Sequence, residues 1–315
     1  MPPIIKNLVA LVLLGQPLIA AIGQKWHRRQ PLVLLYHGVT DQTAFSKIQH
    51  YHGKWIAVDA FRRQIRWLKK HFTLAPLAEI ERLVLERRPA AKPLAAITFD
   101  DGYRNNFRSA FPILQAEAVP ATFFLAGDFV QNRRPLWIDR LEFCLGDNLA
   151  AYARERRELK TVTETEKEHR LSKLETATGR RLVLTDDSPY APLNWAEIKM
   201  MADAGMTFGT HTMNHPILSR LDRAAQAGEI LAGKKLIEER LGACPHFAYP
   251  NGQPGDWNQA TLEIIKEAGW RAAWTTLPRR VRPERDEPLT LPRITIANYH
   301  DDYRFRALVS GLVPR

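Results

Sequence analysis

Short apolar runs alternate with amphipathic stretches along most of this chain, and this alternation limits the possible folds more than any other feature. The runs read as buried strands: Leu32–Tyr36, Leu94–Phe99, Thr122–Leu125, Thr207–Thr210, His246–Tyr249, Ala272–Thr275 and Leu291–Thr295. Between the first two, Phe61, Ile65, Leu68 and Phe72 recur at helical spacing and lie on one helix face. Alternating strands and helices favour parallel strands with crossover helices. About seven such strands predict an α/β fold, a closed or nearly closed barrel.

One stretch of the chain, 131–192, interrupts the alternation because it contains no strand pattern. Its middle part, Tyr152 to Glu175, is dense in charges of both signs, which is typical of helices with a solvated surface. We therefore expect a helical insertion over 131–192, within a barrel domain that spans 29–300 and is followed by a C-terminal tail over 301–315. A lid or a substrate-binding flap is the alternative role for the insertion.

The N-terminal segment 1–28 is largely apolar from Ile4 to Ile22. A spanning helix needs about 20 apolar residues, so this run is marginal for that role. Small residues at Ala20-Ala21 offer a cleavage site for a signal peptide. Three cations between Lys25 and Arg29 follow the run and favour a cytoplasmic main domain. We expect a membrane anchor or a membrane-lying helix; export to the cell envelope and a plain core helix stay open.

The charge balance is strongly basic. The chain has 45 Lys and Arg against 34 Asp and Glu, a net charge of +11. Such a surface favours anionic partners: nucleic acid, anionic lipid or acidic glycan. The cations are dispersed and no basic stripe is interleaved with aromatic residues, so we expect a membrane surface or a glycan as partner and no specific nucleic acid. The two cysteines, Cys144 and Cys244, exclude a disulfide framework, and we expect two buried thiols.

Two short runs carry the groups that a hydrolytic metal site needs. Thr98 to Tyr103 contains Asp100 and Asp101, and a second run contains the His-x-x-x-His pair His211 and His215. An Asp at a strand end often only caps a helix, and a lone His is usually structural. Together, two imidazoles and one carboxylate suit Zn²⁺ or another divalent first-row metal and leave a position open for water. The second carboxylate stays free to act as a base.

The chemistry-bearing residues directly follow the apolar runs. His37 follows the first run, Asp100 the second, His211 the fourth and Asn251 the fifth, after one proline. In a β/α barrel, the carboxyl ends of the strands form one face, on which catalytic groups converge. The sequence therefore predicts that these residues lie close together.

These motifs resemble those of the NodB-type polysaccharide deacetylases, carbohydrate esterase family 4. The matching segments are Thr98–Tyr103, His211–Pro216, Ala121–Leu125, Phe247–Gly252 and Leu35–Val39, the last of which resembles the opening strand of one branch of the family. The resemblance runs from Leu32 to Ile296, apart from the insertion. It implies a distorted (β/α) barrel and metal-dependent removal of acetyl groups from N-acetylated sugars.

The resemblance also implies roles for individual residues. Asp101, His211 and His215 match the metal ligands, and Asp100 matches the general base. The backbone N–H of Asn251 falls where the family places an oxyanion donor. The cofactor implied is a divalent metal, Zn²⁺ first, with Co²⁺ and Ni²⁺ as alternatives.

Two departures from the family pattern concern the mechanism. The third motif of the family carries an Arg where this chain has Ala248, and the last motif carries a Leu-x-His-Asp run where this chain has Leu291–Ile294. We expect Arg293 to reach Asp100 from the last strand, replacing the lost Arg and keeping Asp100 oriented and ionised. The alternatives are a structural ion pair and the binding of an anionic substrate group.

The lost His leaves the general acid open. His37 is the first candidate, His300 is a weaker one, and protonated Asp100 itself is the third. Tyr103, Tyr249 and Trp274 are predicted to contact the sugar, although a large aromatic residue at a strand end is equally often part of the core.

The predicted function is hydrolysis of N-acetyl groups on a polysaccharide or a lipid-linked glycan. O-deacetylation and deformylation of a lipid-linked sugar are alternatives within the same class. A scaffold that binds glycan without turnover is the alternative from another class, but binding alone would not require a free carboxylate beside the metal ligands.

Overall fold

The structure, a computed structural model, describes residues 29–41, 53–146, 148–298 and 300–311. The prediction for the N-terminal segment 1–28 lies outside the described residues. Parallel strands alternate with helices along the described chain, as the apolar runs predict. No helix in the described part of the chain combines the length and the apolar character needed to cross a membrane.

The main sheet is parallel and carries the predicted site residues on neighbouring strands. The described strands are β1 (Leu32–Tyr36), β2 (Gly38–Thr40), β3 (Trp55–Ala57), β4 (Thr73–Leu74), β5 (Leu94–Phe99), β6 (Ala121–Leu125), β7 (Thr207–Thr210) and β8 (Ile294–Thr295). The sheet order is β7-β6-β5-β1-β8, with β4 paired to β5, whereas β2 and β3 pair separately. The strand that precedes the Asp pair is therefore central, flanked by β1 and β6.

Single parallel bridges continue the sheet where regular ladders stop. Thr210 bridges Phe247, Ala248 bridges Trp274, and Trp274 bridges Leu291. These bridges continue the parallel arrangement from β7 towards β8, although no regular ladder closes the barrel among the described residues. The α/β fold class is confirmed, but the fifth and sixth predicted strands occur as single bridges.

The last predicted strand is shorter than expected. Only Ile294–Thr295 pairs regularly, with Leu34 and Leu35 of β1. Pro292 explains the shortening, because proline has no N–H to donate to a ladder. The interruption leaves Arg293 between the bridge at Leu291 and the paired residues, where its side chain enters the barrel.

Two cores lie on the two sides of the sheet because successive side chains of a strand point to opposite faces. Leu32 and Leu34 pack in the large core beneath the helices, whereas Val33 packs with Phe124 and Trp274 in the barrel interior. The helices are α1 (Val58–His71), α2 (Leu77–Leu85), α3 (Phe111–Ala116), α4 (Gly127–Asn132), α5 (Trp137–Leu145), α6 (Leu149–Leu159), α7 (Glu164–Thr178), α8 (Trp195–Asp203), α9 (Arg223–Leu241), α10 (Gln259–Glu267) and α11 (Asp302–Ser310).

The predicted insertion is helical. Within 131–192, the described residues form α5, α6 and α7 and no regular strand. Trp137, Leu141 and Leu171 belong to a small core of the insertion's own. The insertion has this separate core because α6 and α7 bury only a narrow apolar stripe. Apart from the buried Lys167, most of their charged side chains are exposed or half-buried, as the mixed charge pattern predicts.

The predicted C-terminal tail contains a helix, which the sequence reading missed. Asp301 caps α11 by accepting a hydrogen bond from the Arg304 backbone N–H at 2.8 Å. Phe305 and Val309, one helical turn apart, are buried against the barrel domain. Both cysteines are buried free thiols, as expected.

Candidate metal centre

The Asp pair lies at the carboxyl end of β5. The Asp100 N–H donates to the Tyr36 carbonyl at 3.0 Å and so continues the sheet by one residue. Asp101 then adopts a φ of 74° and Gly102 a φ of 94°, so the chain turns away. A Cβ on Gly102 would lie 2.9 Å from Leu125 Cδ2, which only glycine avoids. Because of this sharp turn, the two carboxylates point in different directions.

The His pair lies at the end of β7. The His211 N–H donates to the Leu125 carbonyl at 2.8 Å, and the His215 N–H donates to Thr212 Oγ1 at 3.1 Å. Thr212 and His215 both have left-handed φ values, 66° and 57°. This tight loop brings the two imidazole rings to 4.8 Å between centroids.

A side chain from α9 braces this loop. Glu229 accepts hydrogen bonds from the Asn214 N–H and from Asn214 Nδ2, both at 2.7 Å. The Glu229 carbonyl also accepts a hydrogen bond from the Met213 N–H at 3.1 Å. Sequence reasoning missed Glu229, because a Glu on a helix gives no signal that it holds a loop 15 residues away.

Asp101, His211 and His215 bring one donor atom each to within 4.8 Å of one another. The distance from Asp101 Oδ1 is 3.4 Å to His215 Nε2 and 3.8 Å to His211 Nε2. Among the described residues, Asp101 Oδ1 is buried without a hydrogen-bond partner. His211 Nδ1 lies 2.8 Å from the Ala248 carbonyl, and a carbonyl can only accept, so Nδ1 carries the proton and Nε2 is the free ligand atom. These donors fit a divalent metal.

The electrostatics of the cluster also suit a cation. Burial raises the pKa of Asp101 to about 8, and the neighbouring Asp100 carboxylate adds to this rise. Burial lowers the pKa of His211 to about 3, assisted by the cation of Arg293. Burial likewise lowers the pKa of His215 well below its ordinary value. Both rings are therefore neutral at pH 7, which is the form that binds a metal, and a bound cation favours loss of the proton from Asp101.

Arg293 holds the second carboxylate. Its Nη1 donates to Asp100 Oδ1 at 2.7 Å and its Nη2 donates to Asp100 Oδ2 at 2.9 Å. The guanidinium is fully buried; its Nε donates to the Thr275 carbonyl, and its plane lies over the Phe124 ring. Asp100 Oδ2 is 3.7 Å from His211 Nε2. The structure thus places the predicted base beside the three donors, fixed by a bidentate pair.

His37 lies close enough to Asp100 and His211 for their charges to act on its ring, and Asn251 follows the bridged segment Phe247-Ala248. His37 directly follows β1, and its Nδ1 is buried with no hydrogen-bond partner among the described residues. Burial lowers the pKa of His37 to about 4, opposed by Asp100 and assisted by Lys54 and His211. Asn251 has a left-handed φ of 59°, and its carbonyl accepts a hydrogen bond from Thr276 at 2.7 Å.

The three aromatic residues predicted to contact the sugar do not line the centre, so this prediction is wrong. All three are fully buried. The Tyr103 hydroxyl donates to Asp139 Oδ2 at 2.8 Å, the Tyr249 hydroxyl donates to a backbone carbonyl, and Trp274 Nε1 donates to Glu81. Because each ring is fully buried and its polar atom has an internal partner, none of the three exposes a face to a ligand.

Sequence reasoning also missed Lys54. Its ammonium is buried, donates to the Tyr103 hydroxyl at 3.0 Å and forms an ion pair with Asp139. Burial alone would lower the pKa of Lys54, but the carboxylates of Asp139 and Glu142 outweigh burial and raise it. Lys54 also acts on Asp101 through space. A single Lys beside a Trp carries no sequence signal for this position.

Comparison with known protein families identifies relatives of this chain. The model of the polysaccharide deacetylase family matches residues 87–273, a span that contains both the Asp pair and the His pair. The chain belongs to the polysaccharide deacetylase family. The predicted family is therefore confirmed.

Two curated relatives share the family. YxkH of Bacillus subtilis, named as a polysaccharide deacetylase, is 22% identical over 250 residues, which are 78% of this deacetylase and 64% of YxkH. The poly-β-1,6-N-acetyl-D-glucosamine N-deacetylase of Escherichia coli K12 is 28% identical over 110 residues, 35% of this chain and 16% of that protein. This chain therefore matches less than two thirds of the length of either relative.

Solved structures share the fold. The deacetylase PplD of Streptococcus pyogenes superposes with a TM-score of 0.63 at 19% identity, over 91% of this deacetylase and all of that chain. IcaB from Ammonifex degensii gives a TM-score of 0.62 at 19% identity, over 90% of this chain and 97% of that one. At these identities, the likeness concerns the fold.

Proposed function

We propose that this deacetylase hydrolyses N-acetyl groups on an N-acetylated polysaccharide, releasing acetate and leaving a free amine on the sugar. The observation that carries the proposal is Asp100, a buried carboxylate clamped by Arg293 beside three metal donors. A binding scaffold needs no such group. The family and the name of the Escherichia coli relative support an N-acetylated glycan as the substrate class.

Asp101, His211 and His215 would hold the metal, with Zn²⁺ favoured by two imidazoles and one carboxylate and with Co²⁺ and Ni²⁺ also suited. When bound, such an ion polarises a carbonyl oxygen and lowers the pKa of a water molecule. The chain's own contribution is a site shielded from bulk solvent, because Asp100 and Asp101 are only 2% and 4% exposed.

Asp100 is the base. It accepts a proton from the attacking water as the new C–O bond forms at the acetamide carbon. The bidentate contact with Arg293 fixes both carboxylate oxygens and leaves each with a free lone pair for this proton. The backbone N–H of Asn251, on its strained turn, is our assignment for the donor that stabilises the oxyanion.

The leaving amine needs a proton as the C–N bond breaks, and we assign this transfer to His37. The pKa of His37, lowered to about 4, leaves the ring neutral at pH 7. A neutral ring can give up its one N–H proton if it receives another at the second nitrogen. Asp100 holds the proton taken from water and acts electrostatically on His37, so we assign Asp100 as the source of that proton.

A cleft beside the metal loop is our assignment for the sugar units that flank the reacting one. This cavity, of about 530 Å³, lies between the insertion and the loop, with Trp137 and Leu171 on one side and Met213 and Pro216 on the other. Lys167 of α7 lines it and is close enough to lower the pKa of His215. A polysaccharide extends beyond the sugar that carries the reacting acetyl group. This cleft gives the flanking sugar units a place to bind next to the metal loop.

The test is acetate release from N-acetylglucosamine oligomers by metal-stripped and metal-reloaded protein. We expect activity only after reloading. Asp100→Asn should lower the rate at least about 100-fold while the protein still binds zinc, since the three donors are unchanged. A protein that takes up no divalent metal, or an Asp100→Asn variant with full activity, would contradict the proposal.

The same assay separates the alternatives. O-acetylated and N-formylated sugars, tested beside the N-acetylated oligomers, identify the bond that is cleaved. Oligomer binding without release of any acyl group would favour the scaffold.

A further inference from the structure

The chain enters the described fold at the amino ends of the strands, opposite the metal centre. The Arg29 carbonyl accepts a hydrogen bond from the Ala90 N–H at 3.1 Å, and the Pro31 carbonyl accepts one from the Val281 N–H at 2.9 Å. Two loops therefore flank the entry point: 86–92, which leads to β5, and 279–287, which leads to the last strand.

Arg280 connects the ends of α1 and α11 to the point where the chain enters the described fold. Its Nη1 donates to the Gln30 carbonyl at 3.1 Å, and its Nη2 donates to the Val309 carbonyl at the end of α11. Its guanidinium lies 5.4 Å from the centre of the Phe72 ring, directly after α1. The two loops and the last turns of α1 and α11 therefore form one surface around the entry point.

This surface, the basic face, is rich in cations. Its exposed basic residues are Arg29, Lys70, Arg87, Arg88, Lys92, Arg282, Arg285 and Arg306. The two loops expose three carboxylates, Glu86, Glu284 and Glu287, while Asp286 is buried and paired with Arg279 and Arg282. Burial lowers the pKa of His71, and Lys70 and Arg306 add to this shift, as expected in a positive field.

The sequence that leads into this face is apolar and then basic. The residues before Arg29 lie outside the described structure, but their sequence contains the apolar run from Ile4 to Ile22 and then Lys25 and Arg28. A partner that accepts an apolar segment and many cations side by side is a bilayer with anionic headgroups. A nucleic acid would bind the cations but would not accept the apolar segment.

We propose that the basic face docks on anionic phospholipid headgroups. One marginal apolar segment gives weak, reversible binding, whereas an added basic patch makes it stable. In this orientation the metal centre, one strand length or about 20 Å away, faces the aqueous phase that holds the glycan. The inference is independent of the acyl group that is cleaved.

The first test is binding of the full chain to vesicles of phosphatidylcholine alone or mixed with phosphatidylglycerol. We expect at least about tenfold tighter binding to the anionic vesicles at low salt, and a loss of this preference as salt is added. Equal binding to both vesicles would overturn the proposal, because the apolar segment alone would then account for it.

The second test is charge reversal. The variant Lys70→Glu, Lys92→Glu, Arg285→Glu changes exposed residues of the basic face, and Arg157→Glu, Lys173→Glu, Arg181→Glu makes the same net charge change on the insertion. The first should lose at least about tenfold in binding to anionic vesicles, and the second should lose less than about twofold.

Both variants should keep the wild-type rate of acetate release from soluble oligomers. A lower rate in one variant alone would reveal a folding defect in that variant. No acetate release by the wild-type protein would contradict the proposed activity and leave the vesicle test unaffected. Equal losses of vesicle binding in the two variants would overturn the proposal. Binding of a DNA duplex as tight as that of anionic vesicles, with the same loss in the first variant, would overturn it in favour of a nucleic acid.

Discussion

At the scale of single residues, the pair Asp100–Arg293 is central to the proposed chemistry. An unpaired carboxylate at this depth would be costly, and a monodentate partner would leave it free to rotate towards the metal donors. The fork of Arg293 satisfies both oxygens and sets the plane of the carboxylate. The base therefore stays beside the donor set without joining it.

Arg293→Lys should lower kcat at least about tenfold, because an ammonium cannot hold both carboxylate oxygens in one plane. Zinc affinity should change little, since the three donors are untouched. The measurements are steady-state acetate release and zinc titration. Arg280→Lys, at another buried Arg on the opposite end of the barrel, is the control and should keep the wild-type kcat. Unchanged turnover in Arg293→Lys would remove Arg293 from the mechanism.

Sequence reasoning found the residues that lie in local motifs and missed those that act across the fold. Asp101 and His211 were recognisable because each follows an apolar strand run. Arg293 was predicted from a missing family residue, since a buried base needs some cation. Glu229 and Lys54 were missed, because their roles depend on contacts 15 and 85 residues away in the chain that only folding creates.

At the scale of elements, the helical insertion and α9 form the two sides of the cleft beside the metal loop. Gly228 of α9 lines the cleft, and a Cβ added there would meet no atom within 4 Å. The position therefore accepts a side chain that extends into the cleft without strain on the helix. This gives a direct way to separate cleft binding from catalysis.

Gly228→Leu should raise KM for N-acetylglucosamine oligomers about tenfold and leave acetate release from a single N-acetylated sugar unchanged. The variant should be no less stable than wild type, since leucine favours a helix over glycine by roughly 0.5–1 kcal/mol. Ala224→Leu, exposed on the same helix but outside the cleft, should leave both substrates unaffected. Equal KM values for the oligomers in both variants would exclude the cleft from substrate binding.

The elements themselves were predictable to different degrees. Continuous apolar runs such as Leu94–Phe99 gave correct strands, because burial on both faces leaves a strong pattern. The runs near Tyr249 and Trp274 form only single bridges, because pairing depends on neighbours whose geometry the sequence does not show. The helix α11 was missed because its cap and its four buried residues occupy a short, charged stretch.

At the scale of the whole molecule, a buried charge cluster joins the insertion to the barrel domain. Lys54 precedes β3, whereas its partners Asp139 and Glu142 belong to α5. Burial raises the pKa of Glu142 to about 7, even though Lys54 opposes the rise. The folded state therefore binds a proton here that the unfolded chain releases near pH 4.5.

Between about pH 4.5 and 7 the folded state holds more protons at Glu142 than the unfolded state does, so this group lowers stability as pH rises. Near pH 5, Glu142→Gln should have about the same free energy of unfolding as wild type. At pH 8, its free energy of unfolding should be higher by about 2 kcal/mol. Urea unfolding at both pH values measures the difference. Glu158→Gln, an exposed change on α6, is the control, and equal free-energy differences at the two pH values would contradict the assignment.

The clamp on Asp100 also has a consequence for biosynthesis. Its two partners are separated by 193 residues, so they come from an early and a late part of the translated chain. A growing polypeptide that has left the ribosome as far as α9 already contains every metal donor but not Arg293. Since folding can begin at the amino end during synthesis, we expect the three donors to be available before the partner of Asp100 has been made. The clamp on Asp100 is complete only when the final strand has been added.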